Sequence, residues 1–399
     1  MKVEISKLDN FGRGITYING KICFIDGVLP GEVVKVRTVK ETKKYLLGKV
    51  LDFYRLSDER IDEVCRYSDV CGGCNLSHMS MDKENEFKCN KVKDILKKFG
   101  DVSSSVINDV TCVNEYEYRN KVTLHGENNL LGYYEKDSNK VIDIDKCLLA
   151  DDRINSIIKI LNKMADDDNI LEAVIRTNNE SDEVMVSLKG EVTDYDRLIN
   201  VVNTLIINDE VVLGEGSIIS SIGDMKYYIS DKSFFQVNKE LTKYLYDEVR
   251  QVVLNVKPKK VLDLYCGTGT IGIYVSDLID ELVGVDYSKT GINDAKRNAV
   301  LNSVKNAKFI CDKVENVIDE FNDMDLVIVD PPRAGLDLKT IENIKRIGSK
   351  TLVYISCDPV TLGRDLKELV SDYDVLEVKP YNMFPRTYHI ENFVVLKRK

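Results

Sequence analysis

Apolar and polar positions alternate with a period of two through most of the first 54 residues. The runs KVEISKL, GITYING, KICFIDG, EVVKVRTVK and LLGKVLDFY are separated by Gly, Asn and Pro turns, which predicts a small β-barrel over residues 2–54. The period then lengthens. Over residues 82–98, Phe87, Val92, Ile95 and Leu96 fall on roughly one helical face with lysines elsewhere, so an amphipathic helix is predicted. From about 118 to 235 the segments KVTLHG, LLGYYE and EVMVSLKG read as strands and DDRINSIIKILNKMA as a helix. Beyond 236, short apolar runs (KVLDLY, ELVGVD, AKFICD, DLVIVD, TLVYIS) alternate with helical stretches. Such alternation predicts a doubly wound, mostly parallel sheet with helices on both faces. The expected class is α/β, in three units: 1–55, an OB-like barrel; 56–235, a central α+β segment; and 236–399, the doubly wound domain.

Composition changes this picture little. Of 399 residues, 43% are apolar and 31% charged, as in an ordinary globular chain, and no apolar run is long enough for a membrane span. The N-terminus lacks the apolar centre of a signal peptide, so a cytoplasmic protein is expected. The net charge of −10 argues against a nucleic-acid partner until its distribution is examined. Residues 1–60 carry 12 Lys and Arg against 8 Asp and Glu, which leaves a net +4 there and −14 on the remaining 339 residues. Barrels of this size often hold oligonucleotides and also serve as plain connectors.

Candidate chemistry gathers at predicted strand ends. In VLDLYCGTGTIGI, Gly267, Gly269 and Gly272 spell G-x-G-x-x-G between a strand and a helix, a pattern shared with dinucleotide sites. Asp263 stands inside the strand before that loop, placed to hold a cation or brace the turn, and Asp286 ends the next strand, where a carboxylate can accept from ribose hydroxyls. Acidic residues at those places suit S-adenosylmethionine, a sulfonium nucleoside without pyrophosphate, better than a phosphate cradle does. Asp330 follows another strand and precedes Pro331-Pro332; Cys357 follows the strand TLVYIS and precedes Asp358-Pro359. A cysteine in that position is commonly a small core residue, but ligands of doubly wound sheets meet the carboxyl ends of strands, which makes Cys357 a site candidate.

Ten cysteines are present, and in a reducing compartment they are expected to be buried, metal-binding or catalytic. Cys65, Cys71 and Cys74 have the spacing C-x5-C-x2-C, and Cys147 follows much later. Four such thiols can close a tetrahedral site for zinc or hold an iron–sulfur cluster.

Six ordered motifs carry a resemblance: SFFQVN (233–238), LDLYCGTG (262–269), VGVDYS (283–288), VDPPRAGL (329–336), YISCDPVTLGRD (354–365) and FPRTYHIE (384–391). In them the chain resembles S-adenosylmethionine-dependent RNA (uracil-5-)-methyltransferases, and its first 55 residues resemble the RNA-binding TRAM barrel. The resemblance implies a Rossmann-like methyltransferase domain, a TRAM barrel and a central RNA-binding domain. It implies Cys357 as nucleophile, Glu391 as general base, and Gln236, Tyr265, Asp286 and Asp330 as residues holding S-adenosylmethionine. It also implies that Cys65, Cys71, Cys74 and Cys147 hold a [4Fe-4S] cluster, with zinc as the alternative. Asp358 departs from the Asn expected there, and as a carboxylate it would oppose a thiolate that it faced. His389 is read as structural. Arg119 and Lys121, in YRNKVTLHG, are expected to meet RNA phosphates or to be solvated strand charges.

Large-subunit (23S) ribosomal RNA is the expected substrate and transfer RNA the alternative, with a monomer acting on a flipped or unstacked base. Among rivals, a cytosine-5 methyltransferase lacks its cysteine after Asp-Pro-Pro, since position 333 is Arg. A nicotinamide oxidoreductase rests on the glycine spelling alone. A catalytically inactive RNA-binding protein would be expected to lack Cys357 or Glu391.

Overall fold

The computed structural model describes residues 1–165, 167–178 and 180–399. At the N-terminus six strands form one sheet that closes on itself. Lys2–Glu4 pairs with Val33–Glu41 at one edge, and the continuing strand Lys7–Leu8 pairs with Gly14–Ile18 at the other. Closure follows from the predicted alternation, because every second residue (Ile5, Ile18, Cys23, Ile25, Val34, Val36) points into one small core. A buried Glu32 carboxylate locks the barrel to the next segment. It accepts from the Leu29 N–H at 2.8 Å and pairs with the Arg60 guanidinium at 2.6 and 2.8 Å.

The central unit is a seven-stranded sheet running from Glu210–Leu213 at one edge to Val141–Asp143 at the other, with the helix Asp152–Ala165 on one face. That helix begins and ends where its apolar period does, and Ile154, Ile157, Ile158 and Leu161 are buried against the sheet.

The third sheet has the order 307–311, 281–286, 260–264, 326–329, 351–356, 391–398, 373–381. The first five strands are parallel, and Glu391–Arg398 enters antiparallel to Thr351–Ser356. All carboxyl ends of the parallel strands therefore share one edge, and the reversed strand brings its first residue, Glu391, to that same edge.

Two packing results redraw the expected units. The hairpin Ser217–Ile222/Met225–Ser230 buries Ile218, Ile222, Tyr227 and Ile229 in the core of the C-terminal sheet, so that layer starts before residue 236. The helix Met81–Gly100 lies against the helix Pro359–Leu369, with Val92 and Leu96 in one core with Leu362, Leu366 and Leu369. The two helices approach closely because glycines meet: a Cβ on Gly100 would stand 3.3 Å from the Gly363 carbonyl oxygen. Lys88, fully buried, donates to Glu84 at 2.7 Å and to Asn382 at 2.5 Å, so this helix also grips the loop that precedes Glu391.

Candidate functional site

The glycine loop shows why each glycine is needed. Gly267 has φ +53° and would project a Cβ into open space; Gly269 has φ +75° and packs against Phe309 and Ala295; a Cβ on Gly272 would stand 3.0 Å from the Asp263 carboxylate. That last approach settles the role of Asp263. Its Oδ2 accepts from the Gly272 N–H at 3.1 Å, bracing the turn, while Oδ1 has no partner among the described residues. Burial, with Asp330 and Asp286 nearby, pushes its pKa up to about 8.

Asp286 ends the neighbouring strand and accepts from the Gly267 N–H at 3.0 Å and the Ser288 N–H at 2.7 Å. A carboxylate has about four acceptor positions, so lone pairs remain for ligand hydroxyls. Tyr265 adopts the left-handed backbone region at φ +62°, a sparsely populated conformation for a non-glycine residue. Its hydroxyl bonds to Thr340, and burial pushes its pKa up to about 12. Gln236 is buried just before the helix Lys239–Val256, and its carbonyl accepts from the Asn120 side chain at 3.1 Å.

At the same sheet edge the structure brings Cys357, Glu391, Asp330 and Arg333 together. Ser356 pairs across the ladder with Asn392, so the next residues outward, Cys357 and Glu391, face each other at the rim. Glu391 is only 3% exposed. A loop is the plain local reading of HIE, yet Glu391 is the first residue of a central strand. Burial pushes its carboxyl well above the ordinary range, with Asp330 adding and Arg333 opposing. Asp330 is pushed up to about 7 by burial. The Cys357 thiol rises to about 12, first through burial and then through Glu391 and Asp330, while Arg333 pulls it down. In this arrangement burial and the neighbouring carboxyls raise the thiol and both rim carboxyls together. Arg333, the cation facing both, enters the sequence reading only as a non-cysteine.

Asp358 does not aim at the sulfur. Its Oδ1 accepts from the Val360 N–H at 2.8 Å and the Thr361 N–H at 3.3 Å, capping the helix Pro359–Leu369. Its charge is shared with the helix N-terminus, which accounts for a carboxylate at that place, and it still adds to the upward push on the Cys357 thiol. His389 lies 3.4 Å from the Arg333 guanidinium and against Tyr388. Burial and the cations Arg333, Lys91 and Lys88 push it down to about 3, which leaves a neutral ring.

The four cysteines of the predicted cluster line a separate cavity of about 690 Å³. Burial and the neighbouring thiols of Cys147 and Cys71 push Cys74 up to about 12. Arg119, Lys121, Lys146 and Arg386 line the same cavity. Arg119, which precedes the strand Lys121–Glu127, stands near Cys147, while Lys121 has Arg176, Asp231 and Glu172 as its charged neighbours. Among the described residues, no three His, Cys, Asp or Glu side chains are close enough to hold a single metal ion. The cavity is tied to the rim that holds Cys357 and Glu391 by the chain itself: the Arg386 carbonyl accepts from the Asn75 and Leu76 N–H groups at 2.9 and 3.1 Å, directly after Cys74.

One prediction concerns Asp263. An ordinary Asp has a pKa near 4, so a folded value of about 8 means folding favours the protonated form. The stability this confers is complete below about pH 4 and is lost as pH rises through 8. Asp263→Asn, neutral throughout, should match the wild type near pH 4. At pH 9 it should exceed the wild type by several kcal/mol, because the gap grows by roughly 1.4 kcal/mol with each step of one pH between those two values. Urea midpoints at pH 4 and pH 9 measure this. A gap that fails to widen with pH would mean Asp263 is ionised in the fold.

A doubly wound sheet with a glycine turn, a carboxylate ending the second strand and a polar rim is the S-adenosylmethionine-dependent methyltransferase fold, here joined to an N-terminal TRAM domain. The TRAM profile matches residues 1–51, and the tRNA (Uracil-5-)-methyltransferase profile matches residues 204–399. An RNA methyltransferase of Clostridium acetobutylicum is 34% identical over all of this chain and 96% of its own length, and one of Halalkalibacterium halodurans 33% over all of this chain and 97% of its own. The tRNA (uracil-54, C5)-methyltransferase of Pyrococcus abyssi, solved with S-adenosyl-L-homocysteine, superposes with a TM-score of 0.82 at 27% identity, covering 99% of this chain and 100% of that one. The chain belongs to the RNA uracil-5-methyltransferase family. Among the described residues no helix is long and apolar enough to cross a membrane.

Proposed function

We propose that this protein methylates C5 of a uridine in 23S ribosomal RNA by covalent catalysis at Cys357. The observation that carries the reading is the facing of Cys357 and Glu391 across the ladder at the sheet edge where Asp286 and Asp330 end their strands. Uracil C5 is a poor nucleophile. Addition of the Cys357 sulfur to C6, with the thiol proton leaving to a rim carboxylate, makes C5 an enolate carbon. S-adenosylmethionine, when bound, supplies an electrophilic methyl group. Glu391 then takes the C5 proton, and elimination at C6 returns the thiol and releases methylated RNA. A carboxyl whose pKa is raised by burial is, once ionised, a stronger base than an ordinary carboxylate. Gln236, Tyr265, Asp286 and Asp330 would hold the cofactor, the Asp286 lone pairs meeting the ribose.

For the four cysteines, which line one cavity, the reading is a [4Fe-4S] cluster, with zinc as the alternative. The cations Arg119 and Arg386 suit the negative charge of a thiolate-bound cluster.

The choice of ribosomal RNA rests on the pairing of a TRAM barrel with the four cysteines. Transfer RNA is the second reading, favoured by the full-length match to the Pyrococcus enzyme. Purified protein with S-adenosylmethionine should form 5-methyluridine in transcribed 23S ribosomal RNA, detected by nucleoside mass spectrometry. Product in tRNA transcripts alone would select the second reading, and product in neither would sink both.

A further inference from the structure

We propose that Asp365 is a positioning residue for the reaction: it holds the loop 330–336 against the turn that carries Cys357 and so keeps the Arg333 guanidinium beside the sulfur. The inference rests on the reading of Cys357 as nucleophile and names what fixes the one cation of the rim, which stands on an exposed loop. Asp365 lies in the second turn of the helix Pro359–Leu369 and is fully buried. Three elements converge on its carboxylate. Oδ2 accepts from the Leu336 N–H at 2.7 Å, where the loop after Asp330 ends. The same oxygen accepts from the Tyr354 hydroxyl at 2.7 Å, and Tyr354 belongs to the strand that runs into Cys357. Oδ1 accepts from the Arg364 Nε–H at 2.8 Å. The Arg364 guanidinium then donates to the Ala334 and Leu336 carbonyls at 2.8 and 2.9 Å. Nearer the start of the helix, the Thr361 hydroxyl donates to the Arg333 carbonyl at 3.1 Å.

The loop is built for this contact. Gly335 has φ +73°, and a Cβ on it would stand 2.5 Å from the Asp365 Oδ2 and 2.7 Å from the Arg364 guanidinium, so the backbone itself comes up against the pair. Arg333, two residues earlier, points its side chain toward His389 at 3.4 Å, next but one to Glu391. Its place at the rim therefore depends on where the loop puts its backbone. That place matters for the sulfur. Burial raises the Cys357 thiol first, then Glu391 from the reversed strand, Asp330 from the preceding strand end and Asp358 from the helix start, and Arg333 opposes them. Attraction between charges falls with distance, so a loop that drifts away leaves the sulfur among carboxyls alone. One carboxylate thus joins the strand before Cys357, the helix after it and the loop that brings the cation.

The test is the rate at which iodoacetamide alkylates Cys357 in the full-length protein, without RNA or S-adenosylmethionine, at about pH 8.5 where a free thiol is half ionised. Mass spectrometry of the Cys357 peptide separates it from the other cysteines. Arg333→Gln should slow alkylation roughly 3- to 30-fold, because the lost cation lowers the thiolate fraction and an exposed guanidinium is partly screened. Asp365→Asn should slow it by a comparable factor. The double variant should be no slower than Arg333→Gln alone, since a positioning residue then has nothing left to position. Tyr354→Phe, which removes the bond to the strand and keeps those to the loop, should alkylate at the wild-type rate. If Asp365→Asn does not fold, Arg364→Gln replaces it: that side chain is 54% exposed, and its loss frees the same loop carbonyls. Wild-type rates in Arg333→Gln or in the folded clamp variant, losses that multiply in the double variant, or equal slowing by Tyr354→Phe would each overturn the proposal. Failure to form 5-methyluridine with the alkylation pattern intact would count against the uracil reading and leave the clamp standing.

Discussion

Cys357→Ala should abolish both methyl transfer and any covalent RNA adduct, whereas Glu391→Gln should accumulate the adduct. The two residues face each other across one ladder, yet the chemistry separates them in time. The sulfur must bond to C6 before C5 can accept a methyl group. Without it, the rate should fall by on the order of 10⁴-fold or more, as for other lost nucleophiles. The cofactor pocket should survive, because Asp286 and the glycine loop are bonded to each other and not to Cys357. Glu391→Gln keeps the shape of a buried side chain and loses only the capacity to take a proton. Addition and methylation would proceed, elimination would slow by roughly 10²–10⁴-fold, and a denaturation-resistant protein–RNA species would build up. A denaturing gel with labelled RNA and labelled S-adenosylmethionine distinguishes the outcomes. Product from Cys357→Ala would remove the nucleophile assignment; wild-type turnover by Glu391→Gln would pass the base role to another rim group, with Asp330 the nearest in charge.

Protein purified without oxygen should be brown and carry about four irons per chain, from the four-thiolate ligand set. Cys147→Ser should lose most of that iron. Cys147 comes from the central unit and the other three thiols from the segment after the barrel, so a metal held by all four would close a long-range loop. Losing it should lower Tm by roughly 5–10 °C, equivalent to a few kcal/mol in a chain of this size. The Arg386 carbonyl, bonded just beyond Cys74, should pass some of the disturbance to the strand that begins at Glu391. Iron analysis and a melting curve measure both effects. One zinc per chain in colourless protein would replace the cluster while keeping the ligands, and four free thiols in anaerobic protein would remove the metal site altogether.

The sequence made the parallel strands and their reactive ends legible, because fully buried strands are short, apolar and punctuated. Asp286, Asp330 and Cys357 stand where those runs stop. What stayed hidden depends on long-range pairing. Glu391 precedes an apolar run, but nothing local says that the run enters the sheet reversed beside Thr351–Ser356 and carries Glu391 to the rim. Lys121 opens a strand and Arg119 precedes it; that Arg119 ends near Cys147 while Lys121 meets Arg176 and Asp231 is decided by the fold. The helix Met81–Gly100 is visible as a helix with the right apolar stripe, yet its seat lies near the other end of the chain.

That helix has a consequence for synthesis. Its buried face, Val92 and Leu96, packs with Leu362, Leu366 and Leu369, and its Lys88 binds Asn382. A ribosome adding about 5–20 residues per second needs roughly 15–60 s between finishing the helix and finishing the helix it rests on. For that interval the stripe has no permanent partner, and the barrel and central sheet fold beside it. The nascent chain should therefore recruit holding chaperones at this segment. A fragment beginning at residue 204, where the family profile starts, would leave the opposite apolar surface bare and precipitate unless the helix were supplied in trans.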